Sequence, residues 1–251
     1  MRTLALYNIK GGVGKTTATV NLAYLAAREG FRTLVWDLDP QGAASFYFRI
    51  RPKVKGVPRL IRRKTDLRPR VRGTDFELLD LVPADFSYRK LDLLLILNRK
   101  PKRTIRKLLR PLRGSYDVVF LDCAPSISLV SESVFFAADA LLVPTIPTTL
   151  SMRTLQQLTA YVATLRRRRP EIVPFFSMVD RRRSLHRGLS EDGAATGASF
   201  LRARIPVSSI VESMGVHRAP LPVFARGAVA TSAYEELWME IKERLQITSR
   251  R

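Results

Sequence analysis

Lys10-Gly11-Gly12-Val13-Gly14-Lys15-Thr16-Thr17 follows a short apolar run, Thr3 to Tyr7, and precedes a helix-like stretch. A strand, a glycine-rich loop and a helix in that order make a phosphate cradle. Three glycines let the backbone turn tightly and aim its N–H groups at phosphate oxygens; Lys15 can neutralise a β- or γ-phosphate, and the Thr16 hydroxyl can ligate Mg²⁺. The general P-loop pattern asks for a glycine five residues before Gly14, and that position is Ile9. In its place a second lysine, Lys10, stands at the loop entrance.

Two carboxylate segments extend the argument. Thr33 to Trp36 is a second apolar strand that ends in Asp37-Leu38-Asp39-Pro40-Gln41-Gly42. Tyr116-Asp117-Val118-Val119-Phe120-Leu121-Asp122 is a third, the Walker B type, which delivers Asp122 to the carboxyl edge of a sheet. An acid at that edge can hold a water of the Mg²⁺ shell, and a second beside a P-loop can orient the attacking water. Alternating strands and helices around such a loop specify an α/β fold: a doubly wound, mostly parallel sheet with helices on both faces and nucleotide at the strand carboxyl ends.

These residues resemble the deviant Walker A loop of the ParA/MinD family of partition and positioning ATPases. The resemblance covers Leu4 to about Leu245 and implies a short ParA-type chain without an N-terminal helix-turn-helix extension. It implies that Lys10 is the signature lysine, reaching the nucleotide of the other subunit across an ATP-sandwiched homodimer, while Lys15 acts in cis. Asp-x-Asp-Pro-Gln-Gly is similar to the family's switch I, which gives Asp39 the task of positioning water and Asp37 a supporting one. Asp122-Cys123-Ala124-Pro125-Ser126 is similar to its switch II. Met178-Val179-Asp180-Arg181 and the short strand Phe200 to Ile205, ending at Pro206, resemble the elements that flank the adenine, so Asp180 and Pro206 are base-site candidates. The family's mechanism implies ATP and Mg²⁺ as cofactors and a slow hydrolysis stimulated by a cargo-bound partner protein. It also implies a nucleoid-associated, cytoplasmic protein.

Composition bears on the partner. The chain has 251 residues, enough to bury a sizeable core, and 1–251 reads as a single ATPase domain. One cysteine, Cys123, excludes a disulfide framework or a Cys-rich metal site and fits a reducing compartment. Against 22 acidic residues stand 43 basic ones, a net charge of +21. Arg49 to Arg72 holds eleven Lys or Arg and one acid, Asp66; Arg99 to Arg113 holds eight and none. Such uncompensated clusters repel themselves, and a polyanion is the natural cover. The resemblance implies that this polyanion is non-specific DNA, bound well only by the dimer. By analogy of region its candidate contacts are Arg181, Arg182, Arg183 and Arg187, with Arg202, Arg218 and Arg226 further on.

No apolar run approaches the roughly 18 residues of a membrane span, and Met1-Arg2-Thr3 leads straight into a strand, so neither a span nor a signal peptide is expected. The alternative is a MinD-like ATPase that inserts an amphipathic C-terminal helix into a membrane. The helix from Ser232, with Ser232 and Glu235 as a capping box, has an apolar stripe of Leu237, Trp238, Ile241 and Leu245, which is expected to pack on the domain instead. A third class, a nucleotide-dependent metallocluster carrier, lacks its Cys pair. Other expectations are an irregular excursion over Arg49 to Arg72, a helix over Thr104 to Leu112, one capped by Ser151 and running to Arg169, and a soft loop over Gly188 to Gly197. His186 and His217 read as surface residues.

Overall fold

A computed structural model describes residues 1–51, 66–165, 168–191 and 199–248. Among the described residues, eight strands form one sheet: β1 (Arg2–Leu6), β2 (Thr33–Asp37), β3 (Arg72–Gly73), β4 (Leu79–Val82), β5 (Val118–Asp122), β6 (Ala140–Thr145), β7 (Glu171–Val179) and β8 (Arg204–Pro206). Their order is β3-β4-β2-β5-β1-β6-β7-β8, and every neighbouring pair is parallel except the short β3–β4 ribbon. The strands β1, β2 and β5 are near-continuous apolar runs because both faces are covered.

Helices cover the two faces around separate cores. One core joins β-strand residues Leu4, Val35 and Phe120 to Ala18, Leu22 and Leu25 of α1 (Lys15–Arg28) and to Leu237, Trp238 and Ile241 of the closing helix, Val229–Leu245. The opposite core joins Ala5, Leu34 and Val119 to Ile105 and Leu108 of Thr104–Leu109, to Phe135 of Leu129–Ala137, and to Leu155 and Leu158 of Thr149–Ala163. β1 lies at the centre, with β5 on one side and β6 on the other. The loop after β1 therefore opens where the connections diverge to opposite sides of the sheet, the place at which open α/β folds bind ligands.

Several boundaries differ from the sequence reading. The helix over Thr104 to Leu112 is α-helical only to Leu109, and Pro111 takes Arg110–Leu112 into a 3₁₀ turn. The helix expected to run from Ser151 to Arg169 spans Thr149–Ala163; Thr148 caps it, accepting from the Ser151 N–H, so Ser151 sits three residues inside. The closing helix starts at Val229 rather than at Ser232, and its cap residue Ala228 offers no side chain. Gly188 belongs to a helix, Ser184–Glu191, where a loop was expected. His186 is buried: its Nδ1 accepts the Asp180 N–H at 3.1 Å, tying that helix to the end of β7. His217 is exposed and stacks on Phe224 at 4.0 Å. Most of the Arg49 to Arg72 excursion, the 192–198 stretch of the expected soft loop, and Arg166 and Arg167 lie outside the described residues.

Candidate nucleotide site

The loop after β1 is held from beneath by a residue the motif does not include. Asn8 is buried; its Nδ2 donates to the Pro144 carbonyl at 2.9 Å and its Oδ1 accepts the Lys10 N–H at 2.9 Å. One side chain thus fixes the loop to the end of β6. The chain passes through positive φ at Gly12 (70°) and Gly14 (90°), the second being the residue that opens α1. A Cβ on Gly14 would lie 2.9 Å from the Ser177 Oγ of β7, so this glycine is required by its neighbour as well as by its torsion. Gly14 has no capping side chain, which leaves the first-turn N–H groups of α1 aimed into the loop.

Lys15 is buried, and its Nζ donates to the Lys10 carbonyl at 2.8 Å, so the lysine folds over the loop it belongs to. Burial lowers its pKa, opposed by Asp122, Cys123 and Asp39. Lys10 is half-buried, and its Nζ donates to the Ser151 Oγ at 3.3 Å.

The carboxylates arrive on adjacent strands. Asp37 and Asp122 are register partners at the ends of β2 and β5, and both are fully buried. Ser45 satisfies Asp37 twice, through its N–H (2.8 Å) and its hydroxyl (2.7 Å), while Asp39 adds its own N–H at 3.2 Å. Burial nevertheless pushes Asp37 up to about 6. Asp122 is pushed further, to about 8, by burial first and by Asp37 second, with the Thr16 and Thr19 hydroxyls opposing the rise. Thr19 Oγ1 donates to Asp122 Oδ1 at 3.0 Å, and Asp122 Oδ2 is buried with no hydrogen-bond partner among the described residues. An acidic oxygen left bare beside Thr16 and a buried lysine suits a hydrated divalent cation, whose charge would return Asp122 to its ionised form. The residues present therefore fit Mg²⁺. Asp39 is only half-buried; its Oδ1 accepts the Gln41 N–H at 2.9 Å.

The fold brings Lys10 to Thr17, Asp39 and Asp122 to one edge of the sheet, and it puts the two base-site candidates side by side at the next edge. Val179 and Pro206 are register partners of β7 and β8, so Asp180 and Pro206 are neighbours. Asp180 is engaged locally: its Oδ1 accepts the Arg182 N–H and Nε, both at 3.1 Å, and Arg183 lies 3.8 Å from its Oδ2. Those contacts hold its carboxyl below the usual range. The DNA-contact candidates do not form one cluster. Arg181, Arg182, Arg183 and Arg187 follow the carboxyl end of β7. Arg202 lies along its amino-terminal half, where the Leu201 N–H reaches the Pro174 carbonyl, and it pairs with Glu240 at 3.9 Å. Arg218 covers the Phe46 ring at 4.6 Å and donates to the Phe46 carbonyl, and Arg226 is exposed.

A protein-family model described as an AAA domain matches residues 1–173. The chromosome partitioning protein ParA of Caulobacter vibrioides is 30% identical over 264 aligned residues, which cover 97% of this chain and 95% of that protein. The chain belongs to the ParA/MinD family of ATPases. Other relatives are longer: the chain spans 54% of an uncharacterized protein of Mycobacterium tuberculosis, with 33% identity over 177 residues that cover 66% of this chain. Among solved structures, an aspartate-to-alanine variant of Cyanothece McdA in complex with ATP superposes with a TM-score of 0.83, covering all of this chain and 98% of that one, at 20% identity. That likeness shows the ParA/MinD fold. Asn8, Thr19, Ser45 and Ser177 contact the candidate site's loop and acids and were passed over by motif reading. Thr19 alone carried a signal, standing one helical turn after Lys15 on the same face.

Proposed function

We propose that this chain hydrolyses ATP, dimerises around it, binds DNA without reading sequence, and uses the cycle to segregate or position a cargo. The observation that carries the reading is the convergence of the Lys10–Thr17 loop, Asp39 and the bare Asp122 carboxylate on the carboxyl ends of β1, β2 and β5. Backbone N–H groups of Gly11 to Thr17 bind the phosphates, and Lys15, already inside the loop, meets their negative charge. Thr16 and, through water, Asp122 would hold Mg²⁺, which when bound neutralises phosphate charge. Asp39, tethered by its own backbone and the Gln41 N–H, orients water toward the phosphate. Lys10 supplies a cation across the dimer, leaving its Ser151 contact to do so. Asp180 and Pro206 border the base. Likeness to a chromosome partitioning protein of Caulobacter supports the cargo class, and a net charge of +21 supports a phosphate backbone as the surface on which the dimer assembles. A cargo-bound partner that speeds hydrolysis would then undo the ATP-dependent grip of the dimer on the DNA.

The arginines at 181–187, 202, 218 and 226 remain the proposed contacts of the ATP-bound dimer, in a nucleoid-associated cytoplasmic protein. A MinD-like membrane mode needs a free amphipathic helix. Here Leu237, Trp238, Ile241 and Leu245 of the closing helix are buried in the core, which favours DNA. The test is Lys15→Ala: it should lose ATP binding and, with it, the ATP-dependent gain in DNA affinity. An ATP-dependent gain that persists in this variant at moderate salt overturns the coupling.

A further inference from the structure

One strongly charged surface is left over by this site. Between Arg99 and Arg113 the basic residues Arg99, Arg103, Arg106, Arg110 and Arg113 are spaced by four, three, four and three. That is the repeat of one helix face, and the backbone keeps it from Arg103 onward: Pro101–Arg103, Thr104–Leu109 and Arg110–Leu112 form consecutive helical turns. The stripe lines two adjoining concavities that share Lys107. One, of about 500 Å³, is lined by Arg103, Arg106, Arg110 and Arg113 together with Arg168 and Phe136; the other, of about 240 Å³, is lined in part by Arg99 and Lys100. Arg103 and Arg106 lie 5.6 and 5.7 Å from the Phe136 centroid.

Acids hardly enter this trough. Asp139 pairs with Arg168, and Glu132 takes Lys102, which is outside the stripe. Arg106 shows the cost: its pKa is lowered by burial and then by Arg168 and Arg113. The Arg110–Arg113 end of the trough is also remote from the phosphate loop: Arg113 precedes β5, Asp139 precedes β6 and Arg168 precedes β7, so that end lies toward the amino ends of the strands, opposite the Lys10–Thr17 loop.

We propose that this trough is a nucleic-acid phosphate-binding site that works without nucleotide and without the dimer. It rests on DNA being the polyanion of the proposed function, and it assigns part of that binding to a second surface. The shape selects the ligand. The three helical turns from Pro101 to Leu112 extend about 18 Å, long enough for about three successive phosphates of one strand, whereas a small anion meets only part of the stripe. A flat bilayer cannot follow a concave wall, and Phe136, the one aromatic at the trough, lies beneath guanidinium groups rather than standing free to insert. Guanidinium forks suit phosphate oxygens and carry no base readout. Contact at the amino ends of the strands would hold a monomer near DNA between ATP cycles.

The test compares the full chain with Arg106→Gln/Arg110→Gln/Arg113→Gln by fluorescence anisotropy on a random-sequence duplex, without nucleotide, from about 50 to 200 mM salt. The unsubstituted chain should bind with a steep salt dependence. Each lost phosphate contact removes about 0.9 from the slope of log K against log salt, so the variant should be shallower by close to three. If that variant does not keep the unsubstituted chain's circular dichroism, Arg110→Gln alone should be shallower by about one. An unchanged slope overturns the proposal. So does an unsubstituted chain that ignores duplex without nucleotide, or one that binds inorganic polyphosphate or anionic vesicles through these arginines while ignoring duplex. The ATP-dependent gain separates the two readings, because the triple variant should lose nucleotide-free binding and keep that gain. If ATP adds nothing to the unsubstituted chain but the triple variant still weakens nucleotide-free binding, the ATP reading fails and the trough stands.

Discussion

Replacing Gly14 with alanine tests whether the phosphate loop is shaped by torsion alone or by its neighbour as well. Gly14 sits at φ 90°, and its added Cβ would approach the buried Ser177 Oγ to 2.9 Å. A left-handed non-glycine residue costs roughly 1–2 kcal/mol, and forcing an atom into a packed site adds about 1–3 kcal/mol. The stiffer unfolded chain gives back about 0.4–1 kcal/mol. Gly14→Ala should therefore destabilise by about 2–4 kcal/mol. Gly12 provides the control, since its φ is 70° but nothing lies within 4 Å of its added Cβ. Gly12→Ala should cost about 1 kcal/mol or less from torsion alone. Urea unfolding of the nucleotide-free protein measures both, and Ser177→Ala combined with Gly14→Ala should recover a kilocalorie or more of the loss, about the steric share. Equal costs at the two glycines, or no recovery in the double variant, would refute the idea that β7 helps to shape the loop.

Asp37 and Asp122 predict a pH dependence. Both have folded pKa values raised above the unfolded ones by burial, so the stability they contribute is fully present at low pH and is lost as pH rises through about 6 and then about 8. In protein free of nucleotide and Mg²⁺, Asp122→Asn should gain on the unsubstituted chain as pH rises from 5 to 8, by at most about 1.4 kcal/mol per pH unit; a gap that shrinks over that range contradicts the burial argument. Asp39→Ala should keep ATP-dependent dimerisation and lose turnover, read by phosphate release beside sedimentation; normal turnover removes the residue from the water-positioning role. Lys10→Ala should leave ATP binding to the monomer largely intact and lower ATP-dependent dimerisation, and equal loss of both would place Lys10 in its own subunit's site. Asn21 donates to the Thr17 carbonyl and accepts the buried Leu221 N–H, each at 2.8 Å, so Asn21→Ala should cost about 1–3 kcal/mol in thermal unfolding. A cost below a few tenths would show that this link between the loop helix and the segment at Leu221 bears no strain.

Local chemistry made much of the site legible in one dimension. A glycine-rich loop between an apolar strand and a helix, and acids terminating apolar strands, are short-range patterns whose meaning is set by backbone geometry, and the sheet places Lys15, Asp39 and Asp122 on one edge. The helix ends were harder to read because the decisive partners sit in space or at one residue's remove. Thr148 outcompetes Ser151 as a cap, and the closing helix begins without any capping side chain. His186 looked like a loop residue because nothing near it in sequence tells that its ring is buried against the Asp180 N–H.

What the order of residues determined by itself was the fold class, the loop and its acids, and a charge excess gathered in two segments. Only the tertiary structure decided that Asp122 would keep a bare, buried oxygen beside the loop, because register places Asp37 against it and burial withdraws water from both. The spacing of the 99–113 arginines already put them on one helix face; three-dimensional packing decided that Phe136 and Arg168, from later in the chain, join them around one trough. The loop chemistry depends on neighbours a few residues away. The electrostatics depends on elements brought together from distant parts of the chain, and only folding sets their distances and their exposure.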